Sequence, residues 1–453
     1  MSNLTWVSYK PINDVESPNG YRPGGYHPVR ICDQLHDRYT IIDKLGFGSY
    51  ATVWLAIDHV TDSYVETLRK LHELGSQDQT ARGKLLIPPV LDDFTVAGPN
   101  GLHPCLVTVP AGISVRDAKD DCLHLYERVF QPSVGRAIIA QLVHAIVFLH
   151  SNGVVHGDLH YGNILFQLPE SFRNLTLEQY YEKYGCPWEE RMERVERRNG
   201  QPLPEGVPFY AVIPAPTTVA LGQEISFSEA QILLTDFGES YMPQVESRYA
   251  SGTPKYLHPP ELYFSTAEPL SFPADIWALA VAIWGTVGAY ELFSTRRVTT
   301  DEWIQERVVI LGPMPSDWWQ KWRTRMIWFD ERGAMRGESK FKGWAELFDF
   351  CIQRPREELG IPLEEDEKTA LEELLRSMLA WKPEEGPTAL QVLESEWMRK
   401  WALPDLERMD AQLRHSTTEG KGVGEEKPKK INWETFCFEM IEAQIQSFVE
   451  VED

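Results

Sequence analysis

Apolar and polar positions change rhythm several times along the chain. Residues 1–38 hold no sustained period; Ser17-Pro18-Asn19-Gly20 and Pro23-Gly24-Gly25 punctuate a polar stretch that reads as an extended arm. From Tyr39 the pattern is strand-like, with Tyr39 and Ile41 before a glycine turn and Val53-Trp54-Leu55 after it. Val65, Leu68, Leu71 and Leu74 then recur every third residue, which predicts a short helix ended by Gly75. Leu106-Val107-Thr108-Val109 before Pro110 predicts a buried strand running into a connector. Ile138, Ile139, Leu142, Ile146 and Leu149 form one apolar face of a helix over 134–151.

The rhythm breaks over 167–230, where Pro169, Pro187, Pro202, Pro204, Pro208, Pro214 and Pro216 surround a charged piece near Trp188–Arg198 that reads as helical. This stretch reads as an insertion within a larger unit, either a loop packed on the helical part or a docking element. Ile276–Tyr290 is an uncharged apolar run of 15 residues, short for a membrane span, and predicts a core helix buried all round. The chain is helix-rich and tryptophan-rich to about residue 402. Residues 404–430 read as a polar linker, followed by an apolar-rich tail helix carrying Trp433, Phe436, Phe438, Met440, Ile441, Ile445 and Phe448. No internal repeat is evident.

Composition narrows the classes. Of 453 residues, 43% are apolar and 25% charged, which are globular proportions. Acidic residues outnumber basic ones 67 to 44, for a net charge of −23, which argues against binding nucleic acid or an anionic membrane. That charge leaves room for a cationic substrate, or reflects solubility alone. Six cysteines are scattered with no CxxC pair, as in a protein with reduced thiols. No basic segment followed by an apolar run stands near Met1, so no signal peptide is expected, and the expected location is the cytoplasm, the nucleus or both.

Several motifs carry chemistry. Leu45-Gly46-Phe47-Gly48 with Ala51 and Val53 is a glycine turn whose backbone amides could approach phosphates; a plain hairpin has the same look. His156-Gly157-Asp158-Leu159-His160-Tyr161-Gly162-Asn163 places an Asp and an Asn five residues apart on a loop. The Asp can accept a proton from an attacking hydroxyl, and the Asn amide oxygen can ligate Mg²⁺. Thr235-Asp236-Phe237-Gly238 ends a short apolar run with a second potential metal ligand. Gly252-Thr253-Pro254-Lys255-Tyr256, then Pro259-Pro260-Glu261, then Asp275-Ile276-Trp277 complete the series.

In this order and spacing, over about residues 39–400, the motifs resemble the eukaryotic protein kinase family. Tyr21-Arg22-Pro23-Gly24-Gly25-Tyr26-His27-Pro28-Val29, the long Asn163–Asp236 separation and Ser228–Ser240 are most similar to the serine/arginine-rich-protein kinases and their fungal-type relatives. The resemblance implies an α+β, bilobal fold with a small antiparallel β lobe on a large helical lobe. It implies a domain plan of N-terminal extension 1–38, small lobe 39–111, large lobe 112–402 with insert 167–230, and linker and C-terminal helix 403–453. It implies ATP and Mg²⁺ as cofactors, with Asp158 as the base and Asn163 and Asp236 as Mg²⁺ ligands. Leu45, Gly46, Gly48 and Val53 would cover the nucleotide, with Thr108 as gatekeeper and Val109 to Ala111 as the hinge. His160 and Thr253 would complete the catalytic set. The implied partner is a basic, arginine-rich protein, met by a monomer without nucleic acid or membrane.

The chain also departs from the family pattern. No V-A-x-K segment supplies the strand-three lysine that holds phosphates; Lys70 and Glu66 lie in the leucine-spaced piece and cannot make the usual pair. The small lobe is therefore expected to be shortened by a strand. Gly157 replaces the usual arginine, so switching by phosphorylation is not expected, and the short Asp236–Glu261 segment suits a constitutively ordered loop. His160 replaces a lysine and is expected to be a partly charged, weaker clamp on the γ-phosphate. Gly386 stands where an arginine usually meets Glu261, leaving that carboxylate in need of another partner or of water. Three functions follow: a protein serine/threonine kinase acting on basic substrates, a pseudokinase scaffold, or a small-molecule phosphotransferase.

Overall fold

The computed structural model describes residues 7–48, 51–59, 79–122, 127–169, 172, 175–216, 222–337 and 341–419. The leucine-spaced piece with Glu66 and Lys70, and the tail helix, lie outside these residues.

The small lobe holds two separate ladders among the described residues. Strand β1 (Gln34–Leu35) pairs with β2 (Tyr39–Phe47), and β2 pairs antiparallel with β3 (Thr52–Asp58) across the glycine turn. Strands β4 (Asp92–Gly98) and β5 (Gly101–Val107) form a second hairpin, closed at Gly98 and Gly101. Among the described residues no strand joins the two; residues 60–78, on which the expectation of a missing strand falls, lie outside them. Side chains bridge the gap instead. Arg38 Nη1 donates to Asp92 (3.0 Å) while its Nε donates to Asp58 (2.7 Å); Tyr39 O–H donates to Asp92 (2.7 Å), and its ring stacks on Phe94. β5 is not the buried strand its apolar run suggests: Leu102 is 75% and Leu106 64% exposed. Its side chains alternate between exposed and half-buried positions, the pattern of an antiparallel hairpin with one face open to solvent.

The helical part of the chain is built on α3 (Pro132–Ser151) and α5 (Phe272–Val287), which pack on each other. α1 (Gln79–Lys84) packs on α3, and Gly83 makes the close approach: a Cβ there would sit 2.2 Å from the His144 carbonyl oxygen. α2 (Asp117–Asp120) follows strand β6 (Ala111–Ser114). α3 is long and apolar enough to cross a membrane, yet 78% of that stretch is buried in protein, as a core helix is. α5 is buried on all sides as expected, but it ends at Val287 rather than Tyr290, because Gly288 leaves the helix with an extended backbone. Trp284 packs edge-on against Trp344 and Phe348, which accounts for part of the tryptophan content.

The stretch after residue 402 is not a linker at its start. Leu403–Glu419 forms a helix, here α8, with Leu406 and Met409 buried. Its charged composition conceals apolar positions three to four residues apart, which pack against α3. The acidic stretch in helix α7 (Glu365–Met378) divides in the same manner: Glu365 and Asp366 stay exposed, while Glu367 turns inward to Arg136 Nε at 2.8 Å.

The insert also departs from expectation. Its helix is α4 (Leu177–Tyr184), started by a Thr176–Gln179 capping box. The Trp188–Arg198 piece is helical only at its start, a single π-helical turn over Pro187–Arg191; it then runs into β8 (Met192–Arg194), which pairs with β9 (Tyr210–Val212) and carries Glu193 and Arg194 in a ladder. The insert packs on the small lobe. Leu168, Phe172, Leu177, Tyr180 and Tyr184 make one apolar cluster with Ile42 and Leu55. Arg191 forks onto Asp43 (2.9 and 2.5 Å), Tyr180 O–H donates to the same carboxylate (2.9 Å), and Ala215 N–H donates to the Lys44 carbonyl (2.8 Å). The N-terminal arm covers the other side. Glu16 accepts bonds from Tyr21 O–H and from Lys44 Nζ, and the Asn100 amide donates to the Tyr26 (2.8 Å) and Gly206 (2.9 Å) carbonyls. With both faces covered, Tyr39 through Lys44 are all buried.

Candidate active site

The loop from His156 to Asn163 is suspended from one buried carboxylate. Asp275, in the first turn of α5, accepts the amides of His156 (2.7 Å) and Gly157 (3.1 Å) and the imidazole of His150 (3.0 Å). Burial alone would raise its pKa; the hydrogen bonds and charge interaction with His150, together with the loop amide, hold it below the ordinary value. His156 is itself buried and held neutral by desolvation. It donates from Nε2 to the Thr235 carbonyl (3.0 Å) and accepts the Asp158 amide at Nδ1 (3.3 Å). Its ring lies 5.0 Å from that of Phe237.

An antiparallel ladder then places Asn163 beside Asp236. Strand β7 (Ile164–Gln167) pairs with β10 (Ile232–Leu234), with Ile164 opposite Leu234. The pairing continues past both strands, since Thr235 donates its N–H (2.9 Å) and hydroxyl (3.0 Å) to the Asn163 carbonyl. Asn163 donates from its amide to the Asp158 carbonyl at 2.9 Å, which holds the far end of the loop. Asp236 adopts a left-handed backbone, φ 63° and ψ 69°, turning the chain as it leaves the ladder.

Asp158 is the perturbed group here. Burial first, and then the nearby Asp236 charge, push its pKa up to about 6, while a hydrogen bond from Asn163 opposes them. Its Oδ1 is buried and accepts no hydrogen bond from a described residue. His160 Nε2 lies 3.8 Å from that oxygen. Burial, then the Arg116 charge, bring His160 down to about 3, so it is neutral and not the partly charged clamp expected from the sequence. Arg116 sits against this group, its guanidinium 4.8 Å from the Tyr161 ring centroid and 3.4 Å from the Tyr256 hydroxyl. No local motif marks Arg116 or His150; only the folded chain brings them to the loop.

The remaining expected residues are less tightly gathered. Thr253 bonds through its hydroxyl to Ser251 (2.7 Å) rather than to Asp158, and lines a cavity behind the loop with Gly157, Leu159 and Asp275. Gly157 is required by its φ of +79° and by the Glu239 carbonyl, which a Cβ would meet at 2.3 Å; Arg248 binds that same carbonyl (2.9 Å) and the Glu239 carboxylate. Glu261 is pushed up to about 7 by burial, which the charge of fully buried Arg307 opposes, so its counter-charge comes from helix α6 (Thr300–Leu311).

On the nucleotide side, Gly46 and Gly48 face open space, where a Cβ on either would meet nothing within 4 Å. Tyr26 O–H donates to the Gly48 carbonyl (2.6 Å), tying the arm to the turn. Val53 is 52% exposed. Leu45 packs against the apolar cluster of the insert. Val109 is buried and Ala111 pairs with Gln167. Thr108 is exposed, not enclosed as a gatekeeper would be, and its hydroxyl donates only to the adjacent Val109 carbonyl. Lys44 is the one lysine in the described small-lobe ladders, and it is buried against Glu16, away from solvent.

The donor set fits a hard cation sharing its shell with phosphate and water. Asn163 and Asp236 offer oxygens, and no group of three or more His, Cys, Asp or Glu side chains among the described residues forms a metal cage by itself.

Residues 224–398 match the protein kinase domain family. The chain is 24% identical over 397 residues to a serine/threonine protein kinase of Aspergillus fumigatus, covering 83% of this chain and 88% of that protein. It is 24% identical over 417 residues to the serine/threonine-protein kinase SRPK of Physarum polycephalum, covering 85% and 92%. Human SRSF protein kinase 3 is 30% identical over 193 residues, 38% of this chain and 34% of that protein.

Proposed function

Because the chain belongs to the protein kinase family, on its SR-protein-kinase-like side, we propose that it transfers the γ-phosphate of ATP to serine in basic, arginine-rich proteins. The observation that carries this reading is the meeting of Asp158, Asn163 and Asp236 at one end of the β7–β10 ladder, beneath Asp275.

In this reading Asp158 orients the acceptor hydroxyl and takes its proton, and a pKa near 6 keeps it ionised at neutral pH while leaving it a better base than an ordinary aspartate. Asn163 and Asp236 would hold Mg²⁺. When bound, Mg²⁺-ATP supplies the transferable phosphoryl group and spreads its developing charge. The open backbone at Gly46 and Gly48 suits phosphate approach, with Val53, Val109 and Ala111 about the adenine. Burial of His156, and of the Asp275 anchor, fixes the loop before any ligand arrives, which favours catalysis by preorganisation.

The net charge of −23 supports a cationic protein substrate, as do the relatives named for SRSF proteins. The same charge favours a chain without nucleic-acid or membrane partners; action as a monomer in the cytoplasm or nucleus is part of the same proposal. The test is phosphate transfer from Mg²⁺-ATP to an arginine/serine peptide, compared with an Asp158→Asn chain; equal transfer by the two would end this reading.

A second reading is a catalytically silent binding module. It is favoured by the burial of Lys44 against Glu16, which leaves no lysine of the described ladders for the phosphates. Nucleotide binding without any transfer to peptide would select it.

A further inference from the structure

His160 occupies a position between two groups whose hydrogen-bonding needs differ. Its Nδ1 faces donors only: the Gly162 N–H at 3.1 Å and Arg116 Nη2 at 3.5 Å. A ring nitrogen facing donors must be the bare one, so the proton of the neutral ring is carried on Nε2. Nε2 in turn points toward Asp158 Oδ1, 3.8 Å away, the buried oxygen that no described residue satisfies.

The ring has little freedom to turn. A Cβ at residue 162 would lie 3.0 Å from His160 Cε1 and Nδ1 and from the Arg116 guanidinium carbon, so glycine there lets the three groups pack together. A cationic phosphate clamp would need a proton on Nδ1 as well, pointed at an N–H and a guanidinium. The surroundings oppose that arrangement.

We infer that His160 is a positioning residue for Asp158: Nε2–H closes onto Oδ1 and sets the direction of the carboxylate toward the acceptor hydroxyl, with Gly162 and Arg116 fixing the ring. The inference rests on the phosphotransfer reading above. The present separation is about 0.8–1 Å longer than a hydrogen bond, and contacts of this kind tighten when substrate is bound. Arg116, in this arrangement, acts through His160 and never needs to reach the phosphates.

The experiment has a spectroscopic and a kinetic arm on the full chain. With ¹⁵N-labelled histidine, the signal lost in His160→Gln identifies the ring, and at pH 8 it should show Nε2 protonated and Nδ1 bare. A ring protonated on Nδ1 overturns the inference. In the transfer assay, His160→Ala should lower kcat by about 100-fold, the scale of a small misplacement of a reacting group, with KM for ATP unchanged. His160→Gln, which returns an N–H near the Nε2 position, should recover most of that loss, and His160→Lys should not. An Ala variant that keeps kcat and raises KM for ATP, or rescue by Lys and not by Gln, overturns it. If the unaltered chain transfers no phosphate to any peptide while the ring shows the expected tautomer, the phosphotransfer reading fails and the kinetic role falls with it.

Discussion

The guanidinium of Arg191, in the insert, makes two bonds to the carboxylate of Asp43, in the strand that leads into the glycine turn, at 2.9 and 2.5 Å. The Asp43 side chain has no solvent exposure and that of Arg191 has 9%. A segment interrupting the large lobe thus supports the small one, on a strand whose ladder is not continued to β4 and β5 among the described residues. Removing one partner of such a pair leaves an uncompensated buried charge. Arg191→Ala should therefore destabilise the chain by about 3–5 kcal/mol, read by urea unfolding. Tyr180→Phe, which removes only the third bond to Asp43, should cost about 1 kcal/mol.

The raised pKa of Asp158 has a sign that can be measured. The folded carboxyl keeps its proton up to about pH 6, whereas the unfolded one loses it near 3.9. Folded stability from this group is fully present below about pH 4 and is lost as pH rises through about 6. Asp158→Asn removes that loss. Its melting temperature should exceed that of the unaltered chain by a few degrees at pH 7.5 and should match it near pH 4.

His258 gives the opposite sign. Burial lowers its pKa to about 4, and it is held between the Thr253 carbonyl (3.0 Å) and the Tyr263 hydroxyl (2.9 Å). Its contribution is complete above the unfolded value of about 6.5 and is lost as pH falls toward 4. His258→Phe should be less stable at pH 8, for want of the two bonds, and should show a shallower fall in melting temperature between pH 6.5 and 4.5.

Asp275 should matter more for catalysis than for the melting point of its helix. Asp275→Asn keeps the shape but turns an amide toward the His156 and Gly157 N–H groups, one of which loses its acceptor. The expected result is a loss of about 100-fold or more in kcat with the α-helical circular dichroism retained, measured on the purified chain.

The loop from His156 to Asn163 and the Asp236 turn were each legible as short motifs, but that the two meet across 73 residues depends on the β7–β10 ladder. The two core helices were legible too, from long apolar runs such as Ile276–Tyr290. The destination of the insert was not: Arg191 and Asp43 are 148 residues apart, and nothing local announces that they meet. The helix after residue 402 was concealed because Leu406 and Met409 stand alone among charged neighbours. His160 was misjudged for a related reason. Its charge state depends on burial and on Arg116, 44 residues earlier, and not on its ordinary pKa. Thr108 looked enclosed because apolar residues precede it, but β5 alternates exposed and half-buried side chains, and Thr108 continues the exposed phase of Leu106.

Phosphotransfer requires that a small lobe supported by the insert hold Mg²⁺-nucleotide. The measurement is the thermal unfolding of the full chain with ATP, with and without Mg²⁺, beside Asp236→Ala. Ligand at 100 times its dissociation constant stabilises by about 2.7 kcal/mol. The predicted result is a rise of several degrees with ATP and Mg²⁺, a smaller rise with ATP alone, and no Mg²⁺-dependent part in the variant. An unaltered chain whose melting point does not move with millimolar ATP and Mg²⁺ would contradict the account.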